Sequence, residues 1–189
     1  MINMKKWLAI NTKTIAAISS VFIALRFLLR LVNFKYLRIE VDGLSMAPAL
    51  HPSDFLVVEK SNNSNPHQSG SIVAMQDSKG NILIKRIIGI PGESIQVGNN
   101  ILINGHILNE PYAWGENNNT RYRGVNRLEQ DEYFLVGDNR SASKPDSRDF
   151  GPVRAERIIG TVIFCYWPFT RIGKIKTEIR KFSYDNELK

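Results

Sequence analysis

Past Tyr36 the chain never goes far without a turn signal, and that spacing restricts it to a fold of short strands. Asp42-Gly43, Ser78-Lys79-Gly80-Asn81, Pro91-Gly92, Gly98-Asn99-Asn100 and Asn104-Gly105 punctuate runs of β-branched, aliphatic and aromatic residues. The runs that read as strands are 37–41, 55–59, 71–75, 82–90, 94–97, 101–103, 106–108, 133–136 and 158–166. Asn104-Gly105 is the strongest hairpin signal, because both residues accept the positive φ of a type I′ turn. Little helical periodicity interrupts the pattern, so an antiparallel all-β domain is expected over residues 35–173. Residues 61–70 and 111–126 read as polar loops, the second carrying Tyr112 and Trp114. Residues 174–189 read as a basic tail, either a short helix or loose chain.

The other end is different in kind. Residues 14–25 are uncharged and mostly apolar, bounded by Lys13 and Arg26. That run is shorter than the roughly 20 residues that cross a hydrocarbon core, but Arg26 and Arg30 lie four apart and can snorkel. Trp7 and Tyr36 sit where interfacial aromatics belong. Residues 14–34 are therefore expected to form one membrane anchor helix after a short tail, 1–13. Ala17-Ile18-Ser19 has a cleavage-site form but lies inside the apolar run, which argues against a cleaved signal. Cations flank both sides almost equally, so charge alone does not orient the segment.

A net charge of +7 raises the question of nucleic acid, but the excess clusters in the first forty residues and from Arg171 onward. Basic flanks at a lipid surface explain that distribution better than a base-reading surface does. The single cysteine, Cys165, lies among apolar residues and reads as a structural thiol. No His/Cys/Asp cluster has metal-ligand spacing, so no cofactor is expected.

Chemistry is carried by Ser45, in a turn just after a strand-like segment, and by Lys85, which interrupts the strand Ile82-Leu83-Ile84-Lys85-Arg86-Ile87-Ile88. A lysine with its ordinary pKa of about 10.4 is only about 0.04% neutral at pH 7, and desolvation can raise that fraction to about a third. A neutral amine beside a serine is a general base beside a nucleophile. Gly43 lets backbone approach a substrate, and main-chain N–H groups near Gly43 and Ser45 could hold an oxyanion. A third polar block, Gly137-Asp138-Asn139-Arg140 through Asp146-Ser147-Arg148, sits between two strands and reads either as a solvated loop or as a buried network positioning the amine.

Three boxes, in this order, resemble those of the type I signal peptidases, membrane-bound serine proteases with a Ser/Lys dyad. They are Gly43-Leu44-Ser45-Met46-Ala47-Pro48-Ala49-Leu50, then Lys85 to Glu93, then Gly137 to Arg140 with Asp146 to Arg148 and Gly151-Pro152-Val153. The resemblance spans about residues 15–173. It implies Ser45 as nucleophile and Lys85 as general base. It also implies Ser143 as a hydroxyl that hydrogen-bonds the amine, and supporting ion pairs Asp138 with Arg86 and Asp146 with Arg148. Val41, Asp42, Leu50 and Ile84 fall where the family lines shallow pockets for small side chains. Ala49 stands where the family usually has threonine, and the gap between Arg140 and Asp146 is one residue longer than usual, Pro145 being the extra.

The implied activity is removal of signal peptides from exported preproteins after a small-x-small motif. The implied setting is the cytoplasmic membrane, with a monomeric enzyme in contact with lipid and its catalytic domain on the extracytoplasmic side. Two other readings carry the same dyad: a tethered binding module without proteolysis, and a self-cleaving repressor, which would need a helix-turn-helix where this chain is apolar. The run Ser141-Ala142-Ser143-Lys144 lacks the partner motifs of penicillin-binding proteins, and His51, His67 and His106 sit in turn-rich text without a nucleophile elbow.

Overall fold

The computed structural model describes residues 4–62, 66–117 and 124–183, without the side chains of residues 4–13, 31 and 32. Trp7, Lys5, Lys6 and Lys13 thus have side chains outside the described residues, as do residues 184–189 entirely. The chain divides into two compact units, Met1–Leu37 and Arg38–Lys189.

The first unit is helix α1, Met4–Lys35. It absorbs most of the segment read as a separate tail, because nothing in residues 4–13 breaks a helix: neither Pro nor Gly occurs there. The apolar stretch Thr14–Lys35 has a mean hydropathy of 2.1, and its most apolar window contains no buried residue. Twenty-two residues at 1.5 Å per residue give about 33 Å, enough to cross a hydrocarbon core. Phe22, Phe27 and Leu28 point to three sides of the helix and are each more than half exposed, so the helix is apolar around its circumference rather than along one stripe.

The second unit is built of two antiparallel sheets. In chain order its strands begin β1 Tyr36–Glu40, β2 Phe55–Lys60, β3 Ile72–Gln76, β4 Ile82–Gly89, β5 Ile95–Val97, β6 Ile101–Ile103 and β7 His106–Asn109. They continue with β8 Gly124–Val125, β9 Glu132–Val136, β10 Val153–Arg154, β11 Ile158–Trp167, β12 Gly173–Lys174 and β13 Lys181–Ser183. The large sheet runs β1-β2-β11-β3-β4-β9-β10, with β12 added to β11, and the small one runs β13-β7-β6-β5-β8. Between β6 and β7 the turn takes φ of 52° at Asn104 and 83° at Gly105, as the hairpin signal requires.

The nine strands read from sequence are present, with ends displaced by a residue or so. Four short strands, β8, β10, β12 and β13, and a four-residue helix α2, Ser147–Phe150, are additional. Two of those strands fall where a short helix or loose chain was expected: in the described part of that segment Lys174 pairs in β12 with β11, and 181–183 pair in β13 with β7, while residues 184–189 lie outside the described residues. Three-residue strands are too short to show an alternating pattern, so partners elsewhere in the chain decide them.

Strands β4 and β9 lie between two cores. On one face Ile87 and Leu135 pack with Val73, Met75 and Val153. On the other, Ile88, Phe134 and Val136 pack with the small sheet's Ile95, Ile101 and Ile103. Successive side chains alternate faces, so Lys85 and Arg86 leave β4 in opposite directions.

Candidate active site

Ser45 lies in the turn-rich loop between β1 and β2 and is half-buried. The loop is folded by Ala47 N–H donating to Leu44 O (3.1 Å) and Leu50 N–H to Met46 O (2.8 Å), and the buried side chains of Met46 and Leu50 anchor it. Gly43 has a φ of 104°, a conformation that L side chains rarely adopt, and that alone accounts for glycine there. Among the described residues, no hydrogen bond occupies the Ser45 amide N–H.

Lys85 is 3% exposed on β4. Pairing of β4 with β9 ends at Arg86 opposite Val136, so the next rung places Lys85 beside Gly137. Gly137 is where the pieces converge. A Cβ there would lie 2.1 Å from Ser143 Oγ and 2.5 Å from the carbonyl oxygen of Ser45. The Asn139 N–H also donates to Ser45 O at 3.0 Å, tying the serine loop to the 137–140 loop. The absent side chain of Gly137 is what lets the Ser45 loop and Ser143 approach one another there.

Burial is the main influence on the Lys85 amine and pulls its pKa below the ordinary lysine value. Asp146 and Asp149 pull it upward and Arg148 downward, without reversing the result. Burial thus weakens the amine's ordinary preference for the charged form.

Around it stands a polar network with no accessible surface to spare. Arg86 grips Asp138 with Nε to Oδ1 (2.8 Å) and Nη2 to Oδ2 (2.6 Å), and its Nη1 donates to Gly70 O (2.7 Å). Burial pushes the Asp138 carboxyl up, and this two-pronged grip opposes the push. Asp146 accepts from Arg148 Nε (3.0 Å) and Nη2 (2.9 Å), from Ser143 Oγ (2.7 Å) and from Gly137 N–H (3.2 Å). Its burial would raise the carboxyl, but Arg148 and the Ser143 hydroxyl more than offset that and hold it below the usual range. Asp146 also caps α2, accepting from Arg148 N–H. The Ser143 hydroxyl hydrogen therefore goes to Asp146, leaving its oxygen as an acceptor.

The four pocket positions are not alike. Val41 is buried, Ile84 half-buried and Asp42 exposed, while Leu50 has no accessible surface and lies under the serine loop. On the side of β4 that faces β9, pairing covers residues 86–89 and leaves the backbone of residues 82–84 open among the described residues. His67 shares a hydrogen bond with Ser61 at 3.1 Å.

Several supporting groups escaped the sequence reading. Tyr112 lies under the Arg86 guanidinium, 4.3 Å from its ring centre, and its hydroxyl donates to Glu110 (3.0 Å). Glu110 accepts both terminal nitrogens of Arg140, whose Nε donates to Gly137 O (3.1 Å). The signal available was Glu110-Pro111-Tyr112, where the chain enters the 111–126 loop in which Tyr112 was named but given no role. A cavity of about 440 Å³ on this side is lined by Asn99, Asn100, Glu110, Asn117 and Arg140, and neither Ser45 nor Lys85 borders it.

The family model described as "Signal peptidase, peptidase S26" matches residues 14–167. Signal peptidase I of Bacillus caldolyticus is 34% identical over 166 residues, covering 80% of this chain and 91% of that protein. Signal peptidase I U of Bacillus subtilis (strain 168) is 34% identical over 175 residues, covering 87% and 92%. Signal peptidase I of Leptolyngbya laminosa is 35% identical over 147 residues, covering 71% and 70%.

Proposed function

The chain belongs to the signal peptidase family, peptidase S26, and is a serine peptidase; on that premise we propose that it removes signal peptides from exported preproteins with Ser45 as nucleophile and Lys85 as general base. The observation that carries the assignment is the buried Lys85, one rung beyond the Arg86–Val136 pair and so beside the glycine against which the Ser45 loop packs.

A preprotein segment would lie extended along the open backbone edge of residues 82–84, adding a strand, with small side chains toward Val41 and Ile84. Neutral Lys85 takes the Ser45 proton as the hydroxyl oxygen attacks the carbonyl carbon of the scissile bond. The Ser45 N–H, with main chain near Gly43, stabilises the negative oxygen that forms. As the C–N bond breaks, the Lys85 ammonium returns its proton to the leaving amine. Water then attacks the ester, losing a proton to Lys85, and Ser45 is regenerated. Ser143 orients the amine through its hydroxyl oxygen, held in place by Asp146 and Arg148. Helix α1 anchors the enzyme in the cytoplasmic membrane, with the catalytic unit on the extracytoplasmic side, working as a monomer at the lipid surface.

The test is cleavage of a preprotein by the full-length protein in detergent, with the cut site mapped by mass spectrometry. The cut is expected after a small-x-small motif, and Ser45→Ala and Lys85→Ala should each lower kcat by about 1,000-fold or more. Because burial lowers the Lys85 pKa, kcat/KM should rise with pH along a limb centred below the ordinary lysine value. Full activity in either variant, or a profile without that limb, would overturn the assignment.

A further inference from the structure

Residues 171–183 follow the last long strand, and the chemistry proposed above makes no use of them. They nevertheless touch both halves of the dyad's support. At one end, Arg171 Nε donates to both carboxylate oxygens of Asp54 (2.9 and 3.1 Å), and its Nη2 donates to Ala49 O (3.1 Å). Asp54 is 1% exposed and closes the serine loop from below, since its carboxylate accepts His51 N–H (2.8 Å) and its carbonyl accepts Val41 N–H (2.9 Å). Arg171 thereby holds the loop that carries Ser45.

At the other end, Arg180 grips Glu93 with two 2.8 Å bonds and donates to Ile88 O (3.2 Å). Glu93 also accepts Ile90 N–H (3.0 Å), so this grip fixes the end of β4 and the turn after it. Between the two arginines the segment stays attached. Ile175 N–H donates to Ile163 O (3.0 Å), Thr177 shares a hydrogen bond with Ser71 (3.2 Å), and Glu178 N–H donates to Gly70 O (3.2 Å). That same Gly70 carbonyl accepts Arg86, the residue after Lys85. Any side chain on Gly70 would strike the Glu178 carbonyl oxygen, at 1.8 Å from the Cβ position.

We propose that residues 171–183 form a clasp that sets the separation of the Ser45 loop and the Lys85 strand, with Arg171 and Arg180 as its two positioning anchors. The inference rests on the Ser45/Lys85 reading. The charged groups that act on the Lys85 amine are Asp146, Asp149 and Arg148, and neither anchor is among them. A change at an anchor thus reaches Lys85 through geometry and water access rather than through its own charge.

The experiment compares full-length wild type, Arg171→Ala, Arg180→Ala, Arg180→Lys and the double alanine variant on a preprotein in detergent, with folded fraction measured by thermal melting. Each alanine variant should lower kcat about 10-fold with KM within about twofold, and should move the rising limb of kcat/KM to higher pH as water reaches the amine. Arg180→Lys should recover most of the loss, and the double variant should lose less than the product of the singles, since both act on one distance. Singles that keep kcat and the limb within twofold, or that lose activity only in proportion to folded fraction, overturn the clasp. Should Arg180→Ala fail to fold, the exchanged pair Arg180→Glu with Glu93→Arg replaces it: recovery of kcat supports the clasp, and a slow enzyme with an unmoved limb refutes it. Ser45→Ala run alongside separates the two ideas, because its retained activity would sink the dyad and its loss leaves the clasp to be judged on its own variants.

Discussion

Lys85 and Arg86 are neighbours on one strand, both nearly free of solvent, and the protein treats their charges in opposite ways. Arg86 is matched by Asp138 on one face; Lys85 on the other is depressed by burial. A group held below its unfolded pKa weakens the fold at every pH under that unfolded value, because the unfolded chain binds a proton that the native state resists. Lys85→Met should therefore raise Tm at pH 7 by about 2 °C or more while abolishing cleavage, measured by calorimetry beside the activity assay. A fall in Tm would mean that the amine contributes more in contacts than its burial costs. A serine in a turn and a lysine in a strand are each ordinary alone; the sequence singled out Ser45 and Lys85 because the two occur together and in order with the third polar block. Glu110 and Tyr112 were not, because what makes them matter is contact with Arg140 and Arg86 across the chain, and no local pattern encodes that.

At the level of elements, the same contrast separates long strands from short ones. β4 and β11 are read readily, since eight and ten residues of aliphatic and aromatic character leave few other choices. β12 and β13 lie within a stretch rich in Lys and Arg, and the charge invited a lipid-facing interpretation. In the fold, Arg171 and Arg180 are instead consumed by Asp54 and Glu93. α2 is hidden for a related reason: its four residues are held by the Asp146–Asp149 capping box rather than by propensity. The hairpin between β6 and β7 was legible down to its dihedral angles. Gly105→Ala forces a Cβ into positive φ with nothing within 4 Å to clash, so the cost is backbone strain alone, about 1 kcal/mol in urea unfolding. Cleavage by this variant should match wild type.

For the molecule as a whole, an unburied apolar helix precedes a unit with cores of its own. Deleting residues 1–34 should leave residues 38–189 folded, with cooperative melting, and should lower flotation with lipid vesicles at least about 10-fold. Undiminished flotation would assign the lipid affinity elsewhere. The sequence count of +7 includes Lys85 as a cation, and burial lowers the pKa of that amine in the native molecule. Between the native and unfolded values of that group, refolding must expel a hydrogen ion into the medium. The heat of refolding should then differ between phosphate and Tris at the same pH, and Lys85→Met should reduce the difference to what the half-buried His67 contributes.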